Sequence, residues 1–223
     1  MNLLAVDSAC SILSVALSCN DKIFYEQLQA GTKQSECVMD IIDSLVKEAS
    51  LKPEDLNGIL CMGGPGSFTG LRIGYSIAKG LALSLSIPVV PVPTLDCVAF
   101  EARNEGLVLA VIQARKNAWF YSFFKNGDRI TCDSDGEFEQ IAAEIERHHE
   151  KIILTGPGSK TFHDLSAENI KEKIILKNQE KGYARELISI AKMQNLLDND
   201  NTAYLYSGPE YIRKTDAELR NPV

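Results

Sequence analysis

The residues with the most chemical potential stand in one run, Gly63-Gly64-Pro65-Gly66-Ser67-Phe68-Thr69-Gly70-Leu71-Arg72-Ile73-Gly74. It follows the apolar tetrapeptide Ile59-Leu60-Cys61-Met62 and leads into a helix-forming stretch. Glycines between a buried strand and a helix N-terminus suit an anion. Backbone N–H groups point outward, the helix dipole favours negative charge, and Gly64, Gly66 and Gly70 permit close approach. The specific patterns nevertheless fail. A P-loop needs Lys after its last glycine, where Leu71-Arg72 stand, and a dinucleotide fingerprint needs glycine at its sixth position, which is Thr69. A nucleophile elbow separates Ser from both glycines, whereas Ser67 directly follows Gly66. A tight strand-to-helix connection, with glycines for close packing, is the competing reading.

Other reactive groups are sparse. Of three histidines, His148 and His149 are adjacent, about 100° apart on a helix, and cannot share one metal face; no metal site is expected there or at His163. Asp7 closes the apolar run Leu3–Val6 and is followed by Ser8 and Ser11; such residues cap turns by bonding local N–H groups. The six cysteines form no C-x-x-C pair and mostly sit in apolar runs, so no disulfide framework is expected and a reducing, cytoplasmic location is. A net charge of −7 opposes a phosphate backbone, so any RNA would be handled through a partner's positive surface. No apolar run is long enough to span a bilayer, and the N-terminal run lacks a basic leader.

The elements that must position these residues are legible in the periodicity. Leu3–Val6 reads as a buried strand. Leu13, Val15 and Leu17 alternate with Ser14, Ala16 and Ser18, the period of a half-buried strand, and Asn20-Asp21 turns the chain into a returning strand, Ile23–Leu28. A helix is expected from about Lys33 to Ala49, capped by Thr32 or Ser35. After strand Ile59–Met62 a second helix is expected from about Gly70 to Leu85, and the proline-rich Pro88–Val92 suits a short or edge strand. In the second half, Leu107–Ile112 is a strand, Asn126-Gly127 marks a hairpin between Trp119–Phe124 and Asp128–Ile130, Phe138–His148 is helical and Ile152–Thr155 is a buried strand. Gly156-Pro157-Gly158-Ser159 then repeats Gly64-Pro65-Gly66-Ser67 at the equivalent point. The repeat predicts two related βββαβαβ lobes. The fold class is α/β, an actin-like ATPase (ASKHA / ribonuclease H-like) fold, with residues 1–100 as the first lobe and 101–223 as the second. The last helical segment is expected to pack back on the first lobe. A hairpin-first order argues against a doubly wound dinucleotide sheet.

The run Gly64–Gly74 resembles the signature of the bacterial TsaB (YeaZ) family. The resemblance extends over the whole chain, through Asp7-Ser8 with Ser11, Pro91–Leu95 and Pro209–Glu218. It implies a non-catalytic, required subunit of the complex that transfers a threonylcarbamoyl group to adenosine next to the anticodon of tRNAs reading A-starting codons. It implies a heterodimer with the metal-containing homologue TsaD, an ATPase subunit of TsaE type, a homodimer when alone, and tRNA contact only through the complex. Many family members carry His near Gln34 and Asp at Gln113; both departures weaken a hydrolase reading. Actin-like kinases place a metal-associated carboxylate where Asp7 stands. Asp7, Ser8, Ser11, Gly64, Gly66 and Ser67 are therefore the candidate vestigial nucleotide site, with weak ATP or ADP binding and no required cofactor.

The two long helices are the candidate partner surface. In the first, Val38, Ile41, Ile42, Leu45 and Ala49 form a core stripe that leaves Cys37, Met39 and Val46 outside; the second is apolar over most of its circumference. Met39, Ile42, Val46, Leu71, Gly74, Tyr75, Ala78 and Ala82 are the candidate interface residues, and a charge at Ala78 is expected to abolish pairing without unfolding the chain. A small-molecule kinase or hydrolase on the same fold and a self-associating interaction protein are the alternatives.

Overall fold

A computed structural model describes residues 1–177, 180–198 and 201–212. The chain forms two compact units, one joining Met1–Cys97 to Lys181–Glu210, the other built on Val98–Glu180.

In the first unit, β1 (Leu3–Asp7), β2 (Leu13–Cys19) and β3 (Lys22–Leu28) run antiparallel in succession. Asn20 and Asp21 both take positive φ, 47° and 62°, the twist a two-residue hairpin requires. Then come α1 (Gln34–Glu48), β4 (Gly58–Gly64), α2 (Phe68–Leu85) and β5 (Val89–Pro93). The sheet order is β3-β2-β1-β4-β5, with β4 and β5 parallel to β1, so the proline-bearing β5 lies at an edge. On one face Leu4, Val6, Val15 and Leu17 pack with Val38, Ile41, Ile42, Leu45 and Val46 of α1 and Tyr75, Ala78 and Ala82 of α2.

The second unit repeats the plan. After α3 (Thr94–Ala99), β6 (Leu107–Arg115) lies between antiparallel β7 (Ala118–Lys125) and parallel β10 (Ile152–Thr155). Both β8 (Asp128–Arg129) and β9 (Ser134–Glu137) pair with β7, and β11 (Ile174–Lys177) extends the sheet beyond β10. The helices are α4 (Phe138–Arg147), α5 (Ser159–Leu165) and α6 (Glu168–Lys171). Trp119, Phe123, Ile141, Leu154 and Phe162 form its core, with Trp119 edge-on to Phe162 at 5.3 Å. The last helix, α7 (Ala184–Met193), belongs to the first unit and packs on β1, β2 and β4.

Three expectations change. The serines of β2 are not at a wet face: all seven residues are buried, because α7 covers that side. Ser14 Oγ accepts from Ala184 N at 3.1 Å, and Ser18 Oγ accepts from Lys192 Nζ at 2.7 Å. α1 starts at Gln34 after a 3-10 turn over Gly31–Lys33, with Lys33 at the N-cap position and no side-chain cap bond. α2 starts at Phe68, one residue after Ser67, whose Oγ accepts from Gly70 N at 3.2 Å. None of the described helices is long and apolar enough to cross a membrane.

Candidate functional site

Asp7 sits where β1 ends and is fully buried. Its Oδ1 accepts from Ala9 N at 3.0 Å and its Oδ2 from Tyr183 N at 2.8 Å, at the start of α7. The carboxylate therefore closes a local turn and caps a helix 176 residues away in sequence. Burial nevertheless dominates: desolvation pushes its pKa from 3.8 up to about 6, against the pull of the two backbone donors, and the nearby charge of Glu186 adds to the rise. Glu186 is itself held by Lys181 at 2.6 Å. Lining this patch, Tyr25 Oη donates to Gly182 O at 3.1 Å, and the Arg185 guanidinium lies 4.1 Å above the Tyr25 ring. Each oxygen of Asp7 accepts one bond from the chain's own backbone, the arrangement of a residue that caps a turn.

The glycine-rich loop packs on the chain in the same way. Ser67 N donates to Ala9 O at 2.7 Å. A Cβ at Gly66 would lie 2.7 Å from Ala9 O, at Gly70 1.9 Å from Ser8 O, and at Gly64, with φ +114°, 2.3 Å from Glu210 O. Ser8 Oγ, buried, donates to Gly70 O at 2.8 Å. These glycines bring backbone against backbone, the connection reading of the run, and the candidate nucleotide residues are distributed accordingly: Asp7, Ser8 and Gly64 buried, Gly66 half-buried, Ser11 and Ser67 exposed. In the second unit Gly156 stands at the equivalent place with φ +111°, and Pro157 O accepts from Gln113 N at 2.8 Å. Gln34, buried, donates from Nε2 to Cys10 O at 3.0 Å.

The candidate interface is mostly interior. Ile42, Val46, Tyr75, Ala78 and Ala82 are buried in the core beneath the two helices, Leu71 is buried too, and of the candidates only Met39, 46% exposed, offers a large side-chain surface. The small residues of α2 serve its own lobe: a Cβ at Gly74 would meet Ser8 Oγ at 2.8 Å. A charge at Ala78 would enter the core, so the expectation that such a variant stays folded is corrected. The exposed residues of α1 are mostly charged or polar, Glu36, Asp40, Asp43 and Lys47 among them, with Met39 beside them, and those of α2 include Arg72, Ser76 and Leu83, the last at 64%, with half-buried Ile73 and Ile77 nearby. Of the C-terminal signature, 209–212 is described and 213–218 lies outside the described residues.

Burial pushes the Cys10 and Cys97 thiols well above their ordinary value, away from the reactive thiolate. Among the described residues, no group of three or more His, Cys, Asp or Glu is placed to hold a metal ion. His148 ends α4, its ring 5.1 Å from that of Phe123.

Two βββαβαβ-type sheets, each with its central strand between an antiparallel hairpin and a parallel crossover, define an actin-like ATPase (ASKHA / ribonuclease H-like) fold. A family model described as TsaD: tRNA N6-adenosine threonylcarbamoyltransferase matches residues 28–220. The chain is 27% identical to the tRNA threonylcarbamoyladenosine biosynthesis protein TsaB of Bacillus subtilis, covering 99% of this chain and 97% of that protein. Identity to the Escherichia coli TsaB is also 27%, over 100% and 99%. The structure of YeaZ from Pseudomonas aeruginosa superposes with a TM-score of 0.76 at 22% identity, covering 94% of this chain and 99% of that one, a likeness of fold. The chain belongs to the TsaD family and, within it, to the TsaB (YeaZ) members.

Proposed function

We propose that the chain is a non-catalytic, required subunit in the synthesis of threonylcarbamoyladenosine on tRNA, and that it acts by pairing with a TsaD-like homologue that performs the transfer. The observation that carries this reading is Asp7. The carboxylate at the first strand end, where an actin-like kinase would engage a metal, is fully buried and caps α7 through Tyr183 N. Full-length similarity to TsaB proteins supplies the pathway. The pairing surface is the exposed part of α1 and α2 around Met39 and Leu83, which self-pairs when the homologue is absent. An ATPase subunit of TsaE type joins the complex, and tRNA is reached only through it, in keeping with the net charge of −7.

Reconstitution tests the reading. With the homologue, the ATPase and the threonylcarbamoyl-AMP synthase present, omitting this chain stops tRNA modification; full modification in its absence refutes the proposal. Calorimetric titration separates the enzyme alternative, for which micromolar ATP binding with turnover by the isolated chain is the signature.

A further inference from the structure

Residues 201–210, C-terminal to α7, run to the end of β4, where the glycine-rich loop begins. A 3-10 turn, Thr202–Leu205, lies along the edge strand β5, and Leu205 packs on the core beneath α1 and α2. Two residues later, Lys79 Nζ, on α2, donates to Ser207 O. Glu210 N then donates to Gly63 O at 2.8 Å, and Glu210 O occupies the space that a side chain at Gly64 would fill. The segment thus holds α2 at its middle, through Lys79, and holds the end of β4, the strand that leads into the loop launching α2. Its outward side carries Tyr206, 90% exposed. Leu83 stands one turn beyond Lys79 on the same helix face.

We propose that residues 202–210 are a strap whose seating sets the pose of α2, so that strap seating and partner binding are linked equilibria. The inference rests on the reading that α2 faces a protein partner. The physical ground is that α2 is fixed at its start, by Ser67 N on Ala9 O and Ser8 Oγ on Gly70 O, which leaves its later turns free to tilt, whereas the Lys79 bond to Ser207 O and the packing of Leu205 restrain them. A partner that selects one pose then binds with an apparent Kd equal to the intrinsic Kd divided by the fraction of molecules whose strap is seated. The strap bonds its carbonyls and amides to backbone and to a lysine, all exchangeable with water, so it is the part of this unit suited to opening without unfolding the sheet.

The test uses the full chain and the TsaD-like homologue. Glu210→Pro removes the N–H that holds Gly63 O, and Glu210→Ala keeps it. Hydrogen exchange over 202–212 and the Kd for the homologue are measured on both and on the wild type, with exchange in β1 as the control for folding. The expected result is faster exchange of the strap in Glu210→Pro alone, unchanged protection of β1, at least tenfold weaker binding, and slower strap exchange in the wild type when the homologue is added. Two results overturn the linkage: an unprotected strap in the wild type, or Glu210→Pro loosening the strap while the Kd stays within twofold. In the second case wild-type binding itself upholds the partner reading. No binding by the wild type refutes that reading, and the linkage with it.

Discussion

Asp7 makes a quantitative claim about pH. In the fold its carboxyl ionises at about 6, in the unfolded chain at 3.8. Below pH 3.8 both states hold the proton and folding loses nothing. As pH rises past 3.8 the unfolded chain releases a proton that the fold retains, so stability falls, and the fall is complete once pH exceeds the folded value. At about 1.36 kcal/mol per tenfold, the span from 3.8 to about 6 amounts to about 3 kcal/mol. Asp7→Asn removes the proton equilibrium. Its amide oxygen still accepts from Ala9 N, while its NH2 faces the Tyr183 N–H, a pH-independent cost of about 1–3 kcal/mol. The variant should therefore be the less stable protein near pH 4 and should gain about 3 kcal/mol on the wild type by pH 7.5. Exchange of the slowest amides of β1, corrected for the intrinsic rate at each pH, reads the stability of the first unit. The single tryptophan, Trp119, lies in the second unit, so its fluorescence transition in urea should be the same in both proteins. A wild-type-minus-variant difference that stays flat with pH, or that grows in favour of the wild type as pH rises, refutes the argument that desolvation outweighs the two backbone donors.

The remaining expectations concern the helices. Ala78→Asp places a charge at a fully buried site and should cost the first unit about 4 kcal/mol, measured by urea unfolding. Met39→Glu, at an exposed position, should change stability by less than about 0.5 kcal/mol while weakening binding to the TsaD-like homologue at least tenfold by calorimetry. Gly70→Ala should cost about 3 kcal/mol in thermal or urea unfolding, since its methyl would lie 1.9 Å from a backbone oxygen, which cannot swing aside as a side chain can.

The duplicated topology was legible because it is written locally. Apolar runs mark β1, β4 and β6, hairpin turns stand at Asn20-Asp21 and Asn126-Gly127, and one tetrapeptide recurs at matching points with Gly64 and Gly156 at nearly the same φ. β9 was not legible: Ser-Asp-Gly-Glu has no apolar alternation and is made a strand by pairing with β7. The burial of Ser14 and Ser18 was hidden for the opposite reason. Their pattern is that of a solvated face, and only the arrival of α7, about 170 residues later, supplies the partners that make burying them affordable. The same long reach concealed the role of Asp7. The apolar girth of α2 was legible, but its cause was not: periodicity reports that a face avoids water without saying whether sheet, neighbouring helix or another molecule covers it.

The first unit is discontinuous, and this orders events on the ribosome. When Cys97 emerges, β1, β2 and β4 are complete as strands, yet the face that α7 will cover is bare, and Asp7, Ser14 and Ser18 have no donors from it. The contiguous stretch Val98–Glu180 can close on itself before that debt is settled, so the half of the chain made later can be the half that finishes first. A nascent chain stalled between the two segments would show a wet, serine-lined sheet face, a natural handhold for a chaperone. Moving residues 181–210 ahead of Met1 would make the lobe contiguous and remove the wait.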